Sequence, residues 1–254
     1  MNYFAAHCRV VTAFVIREIA TRYKGPGGYL WAFIEPASYI AMMSVIFGTL
    51  ARTPALGENF SFFFATGYIG YSFYAGMVGY LSSAIRANKS LLQYPVVGPI
   101  DPVIGRLMLQ SITSVFVAVV ILFLTRMSEK HPHDIQWGFL FMSVCLAWTL
   151  ALGVAMANIV LYEKYPLYEK LFDIAMKPLF LLSGVFYLPG EMPHPIREVL
   201  LYNPIAHIVM IFRTGFFGAR ASNGLDLAYI CEWATIGLML GIMIFSLFPV
   251  GRTR

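Results

Sequence analysis

The best candidates for metal ligands are His131, His133 and Asp134, which lie together in one short polar stretch. Imidazole and carboxylate groups bind zinc, and a structural zinc site needs four such ligands. No further histidine or cysteine lies near this stretch in the sequence. We therefore interpret it as a polar loop, and a metal site is the less favoured alternative.

The sequence motifs of nucleotide binding and of common hydrolases are missing. There is no GxxxxGK[ST] phosphate-binding loop, no HExxH zinc motif and no GxSxG nucleophile motif. The three cysteines, Cys8, Cys145 and Cys231, are far apart and form no CxxC pair, which argues against a disulfide or zinc framework. We therefore expect no catalytic residue, no cofactor and no metal ion in this chain.

Two ionisable residues lie inside apolar runs, and each is followed by a proline: Glu35 by Pro36, and Lys177 by Pro178. A charge within a membrane is costly and marks a functional position by default, and a proline kinks its helix. The structural alternatives are a shallow Glu35, near the membrane surface or paired with an arginine such as Arg22, and a Lys177 that reaches the surface. Two isolated charges do not form the carboxylate chain of a proton relay.

The composition indicates which elements must position these residues. The chain has 254 residues, of which 59% are hydrophobic and 12% are charged, whereas soluble domains carry about 25% charged residues. An all-α integral membrane protein with a single transmembrane domain, residues 1–254, is therefore expected. Runs of about 20 apolar residues predict six spans, which are Tyr29–Ala51, Phe60–Ile85, Ile104–Thr125, Trp137–Leu161, Leu171–Leu188 and Ala228–Val250.

The distribution of basic residues predicts the orientation of these spans. Eleven lysines and arginines fall on the side of the termini and six on the other side, with Lys177 left inside the fifth span. The positive-inside rule then places both termini in the cytoplasm. Residues 29–188 would hold spans one to five, and residues 225–254 would hold span six and a cytoplasmic C-terminus. This asymmetry explains the net charge of +5 without a nucleic-acid partner.

Residues 1–28 predict an amphipathic helix that lies at the cytoplasmic surface of the membrane. Charged residues interrupt its apolar run, which argues against a signal peptide. Glu18 falls near the apolar face, so the amphipathic pattern is imperfect. The alternative is a helix packed on the rest of the same chain. The residues that recur at helical spacing on the apolar face are Phe4, Cys8, Val11, Val15 and Ile19.

A proline-rich break follows the fifth predicted span. Two short helices, Ile196–Tyr202 and Ile205–Phe217, would fit a re-entrant hairpin over residues 189–224 on the outer side, between spans five and six. Non-helical backbone at membrane depth is tolerated only where protein or water covers it, so we expect a water-accessible pathway beside the hairpin. Two helices lying flat at the surface are the alternative. The prolines of this break are Pro189, Pro193, Pro195 and Pro204.

Two further features have both an ordinary and a functional interpretation. The loop Arg86–Arg106 contains an apolar pair, Leu91 and Leu92, beside polar residues, and a peripheral motor domain could bind such a short amphipathic piece. Aromatic residues make up 16% of the chain and crowd spans one and two. An interfacial aromatic belt accounts for most of them, and the alternative is an aromatic-lined pore along which a carbohydrate chain slides.

Four stretches taken together resemble one family. They are REIATRYKGPGGYLWAFIEP, FATGYIGYSFY, ANKSLLQYPVVGPIDPVIGR and LSGVFYLPGEMPHPIREVLLYNPIAHIVMIFRTGFFG. They resemble type-2 ABC exporter permeases that export polysaccharides, and the second and third resemble the capsule-export branch in particular. The resemblance is carried by Arg17, Arg22, Tyr23, Gly28, Leu30, Trp31, Glu35, Pro36, Ala65, Thr66, Gly67, Asn88, Leu91, Leu92, Pro99, Asp101, Arg106, Ser183, Gly184, Phe186, Tyr187, Leu188, Pro189, Asn203, Pro204, His207 and Arg213.

The resemblance implies roles for particular positions. The N-terminal helix would contact a cytoplasmic ATPase, and a coupling segment would dock into that ATPase through Asn88, Lys89, Leu91, Leu92, Tyr94 and Pro95. Spans one and five would line the translocation path at a dimer interface, with candidate lining residues Tyr29, Trp31, Phe33, Glu35, Tyr39, Lys177, Ser183, Phe186 and Tyr187. The hairpin would form a gate on the periplasmic side, with candidate residues Pro189, Pro193, Asn203, Pro204, His207 and Arg213.

The resemblance also implies the substrate and the partners. The chain would form a homodimer in the bacterial inner membrane, and ATP and magnesium would bind only to the partner ATPase. The substrate would be a lipid-linked capsular polysaccharide, often acidic, and a periplasm-spanning copolymerase and an outer-membrane channel would complete the system. Arg197, Arg213 and Arg220 are candidates for steering an acidic polymer. The alternatives are an O-antigen or teichoic acid exporter of the same class and, from another class, an ion-coupled secondary transporter.

Overall fold

A computed structural model describes residues 3–22, 28–50, 53–94, 97–131 and 133–248. Every regular element within these ranges is a helix, in agreement with the expected all-α class. Four short 3₁₀ helices cover Gly28–Leu30, Leu91–Gln93, Pro189–Glu191 and Gly218–Ser222. The α-helices are α1 (Tyr3–Arg22), α2 (Trp31–Leu50), α3 (Phe60–Ser82), α4 (Ala84–Ala87), α5 (Asp101–Arg126), α6 (Trp137–Lys164), α7 (Pro166–Leu182), α8 (Ile196–Leu201), α9 (Pro204–Phe217) and α10 (Leu227–Leu247).

Four helices in the described part of the chain are long and apolar enough to cross a membrane: Gly28–Thr49, which includes α2, together with α5, α6 and α10. They correspond to predicted spans one, three, four and six. The helix at predicted span five differs in its bounds, because α7 ends at Leu182 rather than Leu188 and begins at Pro166. At 17 residues it is about 26 Å long, which is shorter than the roughly 30 Å hydrocarbon core of a bilayer.

The helix α3 forms the centre of the bundle. It packs against α2, α5, α6 and α9, and most of its side chains are buried. Many of its residues are glycine, serine or aromatic. Small residues allow neighbouring helices to approach, and the aromatic rings fill the space between them. Contacts with the surrounding helices, rather than contacts of an apolar face with lipid, therefore determine the position of α3.

Glycines bring α6 and α10 into close contact. A Cβ atom on Gly153 would lie 2.3 Å from the carbonyl oxygen of Gly237, and one on Gly241 would lie 2.0 Å from the carbonyl oxygen of Gly153. Real Cβ atoms do not tolerate such distances, so only glycine fits at these two positions. The crossing resembles the small-residue contacts that hold membrane helices together.

The helix α9 is buried along almost its whole length, since every residue from Ile205 to Phe217 is buried. Its start follows from local chemistry. The Oδ1 atom of Asn203 accepts a hydrogen bond from the backbone N–H of Ile205 at 3.0 Å, and Pro204 occupies the first helical position, where no N–H is needed. The helix packs against α3, α6 and α10.

The helix α1 packs on α5. Its buried residues are Phe14 and Glu18, and Phe14 lies directly over Gly105. Of the predicted apolar face, Val15 is half-buried and Ile19 is 43% exposed, so a membrane-facing position of this face stays a prediction. The side chains of Phe4 and Cys8 lie outside the described residues. Within the described residues, α1 agrees with the alternative of a helix packed on its own chain.

Candidate functional site

Two clusters of buried polar groups lie near opposite ends of α3. The first, the α1 joint, comprises Glu18, Tyr80, Ser83 and Arg106. The second, the Arg213 cage, comprises the guanidinium of Arg213 and the carbonyl oxygens that accept its hydrogen bonds. Tyr80 in the joint and Phe63 in the cage are separated by about 26 Å along α3. The clusters lie beside the two segments for which the family resemblance implies coupling and gating.

The α1 joint is built around one buried ion pair. The Nη2 atom of Arg106 lies 2.6 Å from the Oε1 atom of Glu18, and the Tyr80 hydroxyl donates to the same oxygen at 3.0 Å. The Nη1 atom of Arg106 donates to the carbonyl of Tyr80 and the hydroxyl of Ser83, both at 2.8 Å. The pair therefore fixes α1 against the end of α3 and the start of α5.

The predicted coupling segment follows directly from this joint. Asn88 is buried, accepts from Arg17 at 3.3 Å and donates to the carbonyl of Ala84 at 2.9 Å. It therefore supports the segment from within and does not offer a contact surface. Among the other predicted coupling residues, Lys89 and Tyr94 are exposed, Leu91 and Leu92 are half-buried, and Pro95 lies outside the described residues.

An ion pair that the sequence analysis missed joins α4, the helix directly before this segment, to α7. The Nη1 atom of Arg86, in α4, lies 2.8 Å from the Oε2 atom of Glu169, in the first turn of α7. This hydrogen bond to Glu169 is the main cause that raises the pKa of Arg86 above its ordinary value. Both side chains are partly exposed, so the pair can break and re-form more readily than the buried pair of the α1 joint.

The Arg213 cage holds a cation with backbone carbonyls alone. The Nη1 atom donates to the carbonyls of Gly184 at 2.6 Å and Tyr187 at 3.0 Å. The Nη2 atom donates to the carbonyls of Val185 at 2.7 Å and Phe63 at 3.3 Å. The guanidinium carbon lies 4.1 Å from the centre of the Phe63 ring. Within the described residues, no carboxylate lies within 4.0 Å of this guanidinium.

The structure corrects the expectation for Arg213 as an outward-facing residue. Its exposed fraction is 1%, so it cannot present its charge to a polymer in solution. Of the other two arginines proposed to steer the substrate, Arg197 is half-buried and Arg220 is exposed. Arg220 lies 3.5 Å from Glu191. Of the three candidates for steering an acidic polymer, Arg213 is therefore excluded by its burial.

Other predicted gate residues brace the turn before α9. The Nδ2 atom of Asn203 donates to the hydroxyl of Ser183 at 3.0 Å. His207 is buried; its Nδ1 atom accepts from the backbone N–H of Asp226 at 3.2 Å, and its Nε2 atom lies 2.9 Å from the carbonyl of Leu201. Ser183, predicted to line the path, is fully buried instead. Pro189 is buried, Pro193 is exposed and Pro204 begins α9.

The helices of predicted spans one and five meet through aromatic rings. Tyr39 in α2 lies 5.9 Å from Phe180 in α7, measured between ring centroids, and Tyr68 of α3 completes this cluster. Phe186 packs on Phe47 with centroids 5.5 Å apart. The structure thus brings side chains of α2 and α7 into contact.

The remaining path candidates differ in exposure. Glu35, Trp31 and Lys177 are exposed, and Phe33 and Tyr187 are half-buried. The hydroxyl of Tyr29 donates to the hydroxyl of Thr113 at 2.7 Å. None of the residues of α7 is buried, although its sequence is largely apolar. Its surroundings must therefore include lipid or another protein surface.

Comparison with known proteins identifies a family and several relatives. Residues 9–217 match the family described as ABC-2 type transporter. The polysialic acid transport protein KpsM of Escherichia coli is 27% identical over 240 residues, which cover 92% of each chain. The capsule polysaccharide export inner-membrane protein CtrC of Neisseria meningitidis is 26% identical over 247 residues. BexB of Haemophilus influenzae, with the same description, is 23% identical over 248 residues. These two alignments cover 96% of this chain and 92% of each relative.

Proposed function

This chain belongs to the ABC-2 type transporter family, and from that premise we propose that it is the membrane subunit of an ATP-driven exporter of lipid-linked capsular polysaccharide. The polymer would move from the cytoplasm to the periplasm. The observation that carries the proposal is nearly full-length similarity to capsule polysaccharide export proteins of two organisms and to a polysialic acid transport protein of a third.

The proposed topology has six spans in the inner membrane, with both termini in the cytoplasm. Four apolar helices and the uneven distribution of basic residues support it. The central α3 and the short α7 supply the other two spans. A helix that is buried as completely as α9 fits a re-entrant hairpin better than a helix lying flat at the membrane surface. The α1 joint and the coupling segment then face the cytoplasm.

The proposed partners supply ATP hydrolysis, a second half of the translocation path, and a route for the polymer beyond the inner membrane. A cytoplasmic ATPase would supply the binding of ATP and magnesium, and Lys89 and Tyr94 are the exposed residues that would contact it. A second copy of the chain would cover the exposed faces of α2 and α7, so that Glu35 and Lys177 lie beside the polymer. A periplasm-spanning copolymerase and an outer-membrane channel would receive the polymer.

The alternatives receive less support. An O-antigen or teichoic acid exporter would have the same fold, but the names of the relatives refer to capsule and to polysialic acid. An ion-coupled secondary transporter would require inverted repeats and buried carboxylates. Glu35, the carboxylate predicted within span one, is exposed in the single chain.

Deletion of the gene in its native host tests the proposal. We expect polysaccharide to accumulate inside the cells and to disappear from the surface, as measured with a capsule stain and by fractionation. The wild-type gene should restore surface polymer. A variant with Lys89→Glu and Tyr94→Ala should insert normally but lose most co-purified ATPase, because its exposed contact residues are changed.

The matched control is Arg220→Glu with Tyr202→Ala, which changes the same kinds of residue at the opposite end of the bundle. Both of its side chains are exposed, and it should keep ATPase binding at the wild-type level. Normal surface capsule in the deletion strain would contradict the proposed function. Equal ATPase recovery from both double variants would contradict the coupling assignment alone.

A further inference from the structure

A long slot runs between α5 and α6. Each of these helices packs closely on α3, but they make little contact with each other, so α3 and α9 form the floor of an open groove. The larger part of the slot has a volume of about 600 Å³. Its walls include Val119, Phe123, Phe141 and Val144, and its floor includes Phe73 and Phe212.

The lining of this slot is almost entirely apolar. Both walls are helices that are apolar enough to span a membrane, so the open side of the slot faces hydrocarbon rather than water. A water molecule needs two to four polar partners, and these walls offer almost none. A hydrocarbon chain suits such a surface, because it gains dispersion contacts with every wall.

The depth of the slot matches one leaflet of a bilayer. From Val115 to Arg126 the wall extends about 16 Å along α5, and one leaflet contributes about 15 Å of hydrocarbon. Trp137 begins the opposite wall and is 70% exposed. Exposed tryptophans mark the membrane–water interface. The end of the slot that contains Arg126 and Trp137 is therefore at the level of the lipid headgroups.

Arg126 provides a cation at this end. Its Nη2 atom donates to the carbonyl of His133 at 2.6 Å, which orients the guanidinium. In the described ranges, no carboxylate lies within ion-pair distance of Arg126. The guanidinium has five N–H donors, so several remain for another acceptor, and the planar guanidinium suits the paired oxygens of a phosphate.

The acidic residues near Arg126 are engaged elsewhere. Glu58 and Glu129 line a smaller pocket of about 290 Å³ that also contacts Arg126. The carboxylate of Glu129 accepts hydrogen bonds from the backbone N–H groups of Glu58 and Asn59. The carboxylate of Glu58 accepts one from the backbone N–H of Lys130. These bonds join the two loops to each other, and among the described residues neither carboxylate forms an ion pair with Arg126, which lines the slot itself.

We propose that this slot binds one acyl chain of a bilayer phospholipid whose phosphate contacts Arg126. The proposal requires only that the chain is inserted in a membrane and does not depend on what it exports. Bound lipid would fill the gap that α5 and α6 leave open, and would hold the two helices at a fixed separation beside α3.

Photo-crosslinking in the purified full-length protein tests this proposal. The probes are phosphatidylglycerol and phosphatidylethanolamine with a photoreactive group in one acyl chain, and diacylglycerol with the same group as the probe without phosphate. We expect labelled peptides from α5 and α6 around Val119 and Val144. Diacylglycerol should label these peptides about tenfold less than phosphatidylglycerol, because it lacks the charged contact with Arg126.

Two variants separate the apolar contact from the charged one. Val119→Trp fills the slot and should abolish labelling, whereas Leu124→Trp, at an exposed position of the same helix, should not. Arg126→Gln should lower phospholipid labelling to the diacylglycerol level, and Lys130→Gln should leave it unchanged. Wild-type labelling of Val119→Trp, or equal labelling by diacylglycerol and phospholipid, would overturn the proposal.

Discussion

Two arginines are buried near opposite ends of α3, and their charges are balanced in different ways. Arg106 has a carboxylate partner, Glu18, at 2.6 Å, whereas Arg213 has four backbone carbonyls. Both guanidinium groups also lie over an aromatic ring of α3: Arg106 over Tyr80 at 4.5 Å, and Arg213 over Phe63 at 4.1 Å. Arg106 thus holds the helix α1 in place through a side chain, whereas Arg213 holds a turn of the backbone in place.

The difference determines what each arginine constrains. An ion pair between two side chains fixes where one helix lies against another, and both partners can be replaced together. A substitution of Arg213 cannot remove the backbone carbonyls around it. A buried carbonyl that accepts no hydrogen bond lowers the stability of the fold. Arg213 therefore fixes the conformation of residues 184–187 directly. We infer that the turn after α7, residues 184–187, is a rigid cap, and that α1 and the coupling segment are the more adaptable end.

Substitution of Arg213 should have the largest effect. A lysine keeps the charge but has one ammonium in place of a planar fork, so it cannot reach four carbonyls. At least two carbonyls would lose their donor, at a cost on the order of 5 kcal/mol in total. We expect Arg213→Lys to yield little monodisperse protein in size-exclusion chromatography. Arg220→Lys, at an exposed arginine, is the control, and a wild-type yield and Tm for Arg213→Lys would refute the cage.

Gly67 allows the same cage to be disturbed from α3. A Cβ atom at this position would lie 2.4 Å from Nη2 of Arg213 and 2.8 Å from the carbonyl of Val185. Gly67→Ala should therefore lower the Tm although alanine is the better helix former by about 1 kcal/mol. Gly79→Ala in the same helix has nothing within 4 Å of the added atom, so it should raise the Tm slightly. Equal responses of the two variants would be evidence against a tight cage.

Substitutions in the α1 joint should lower the stability less than substitution of Arg213. The loss should depend on whether Glu18 and Arg106 are changed singly or together. Glu18→Leu or Arg106→Met alone leaves a buried charge without its partner and should cost about 3 kcal/mol. The double variant should lose less than the sum of the two single losses, because no charge is then left unpaired. The measurement is the Tm of all four proteins. Additive losses would mean that the two side chains act independently.

Much of the fold near the cage was predictable from local sequence signals. The predicted short helices Ile196–Tyr202 and Ile205–Phe217 agree with α8 and α9 to within one residue at each end, because prolines and an asparagine cap limit both helices. The burial of Arg213 was not predictable. Its partners are backbone carbonyls, and any residue type supplies those, so the sequence contains no pattern that identifies them.

Long-range pairs were missed for a related reason. Arg86 and Glu169 are 83 residues apart, and each has other opposite charges nearer in the sequence. The face of α1 that packs on α5 was not identified from the sequence, because it contains a charged residue, Glu18, together with Phe14. Helical periodicity identifies apolar residues. It does not identify a glutamate that is buried because it forms an ion pair with an arginine on another helix.

The smallest effect on stability is expected from the exposed pair between Arg86 and Glu169. Pairs of this kind contribute less than about 1 kcal/mol, so Arg86→Glu should change the Tm very little. Its effect on export should be larger, because the pair connects α4, directly before the coupling segment, to α7. In the described residues no other ion pair or hydrogen bond joins α4 or the coupling segment to α7. We expect Arg86→Glu to keep ATPase binding and to lose surface polysaccharide.

The charge-reversed double variant, Arg86→Glu with Glu169→Arg, gives the decisive comparison. It restores the ion pair in the opposite sense and should regain a large part of the export that the single variant loses. The same reversal at Arg220 and Glu191, an exposed pair at the other end of the bundle, should leave export unchanged. If the double variant exports no better than Arg86→Glu alone, the contact between α4 and α7 does not transmit motion. Motion of α1 and the coupling segment would then reach the translocation path through the α1 joint and not through the ion pair between α4 and α7.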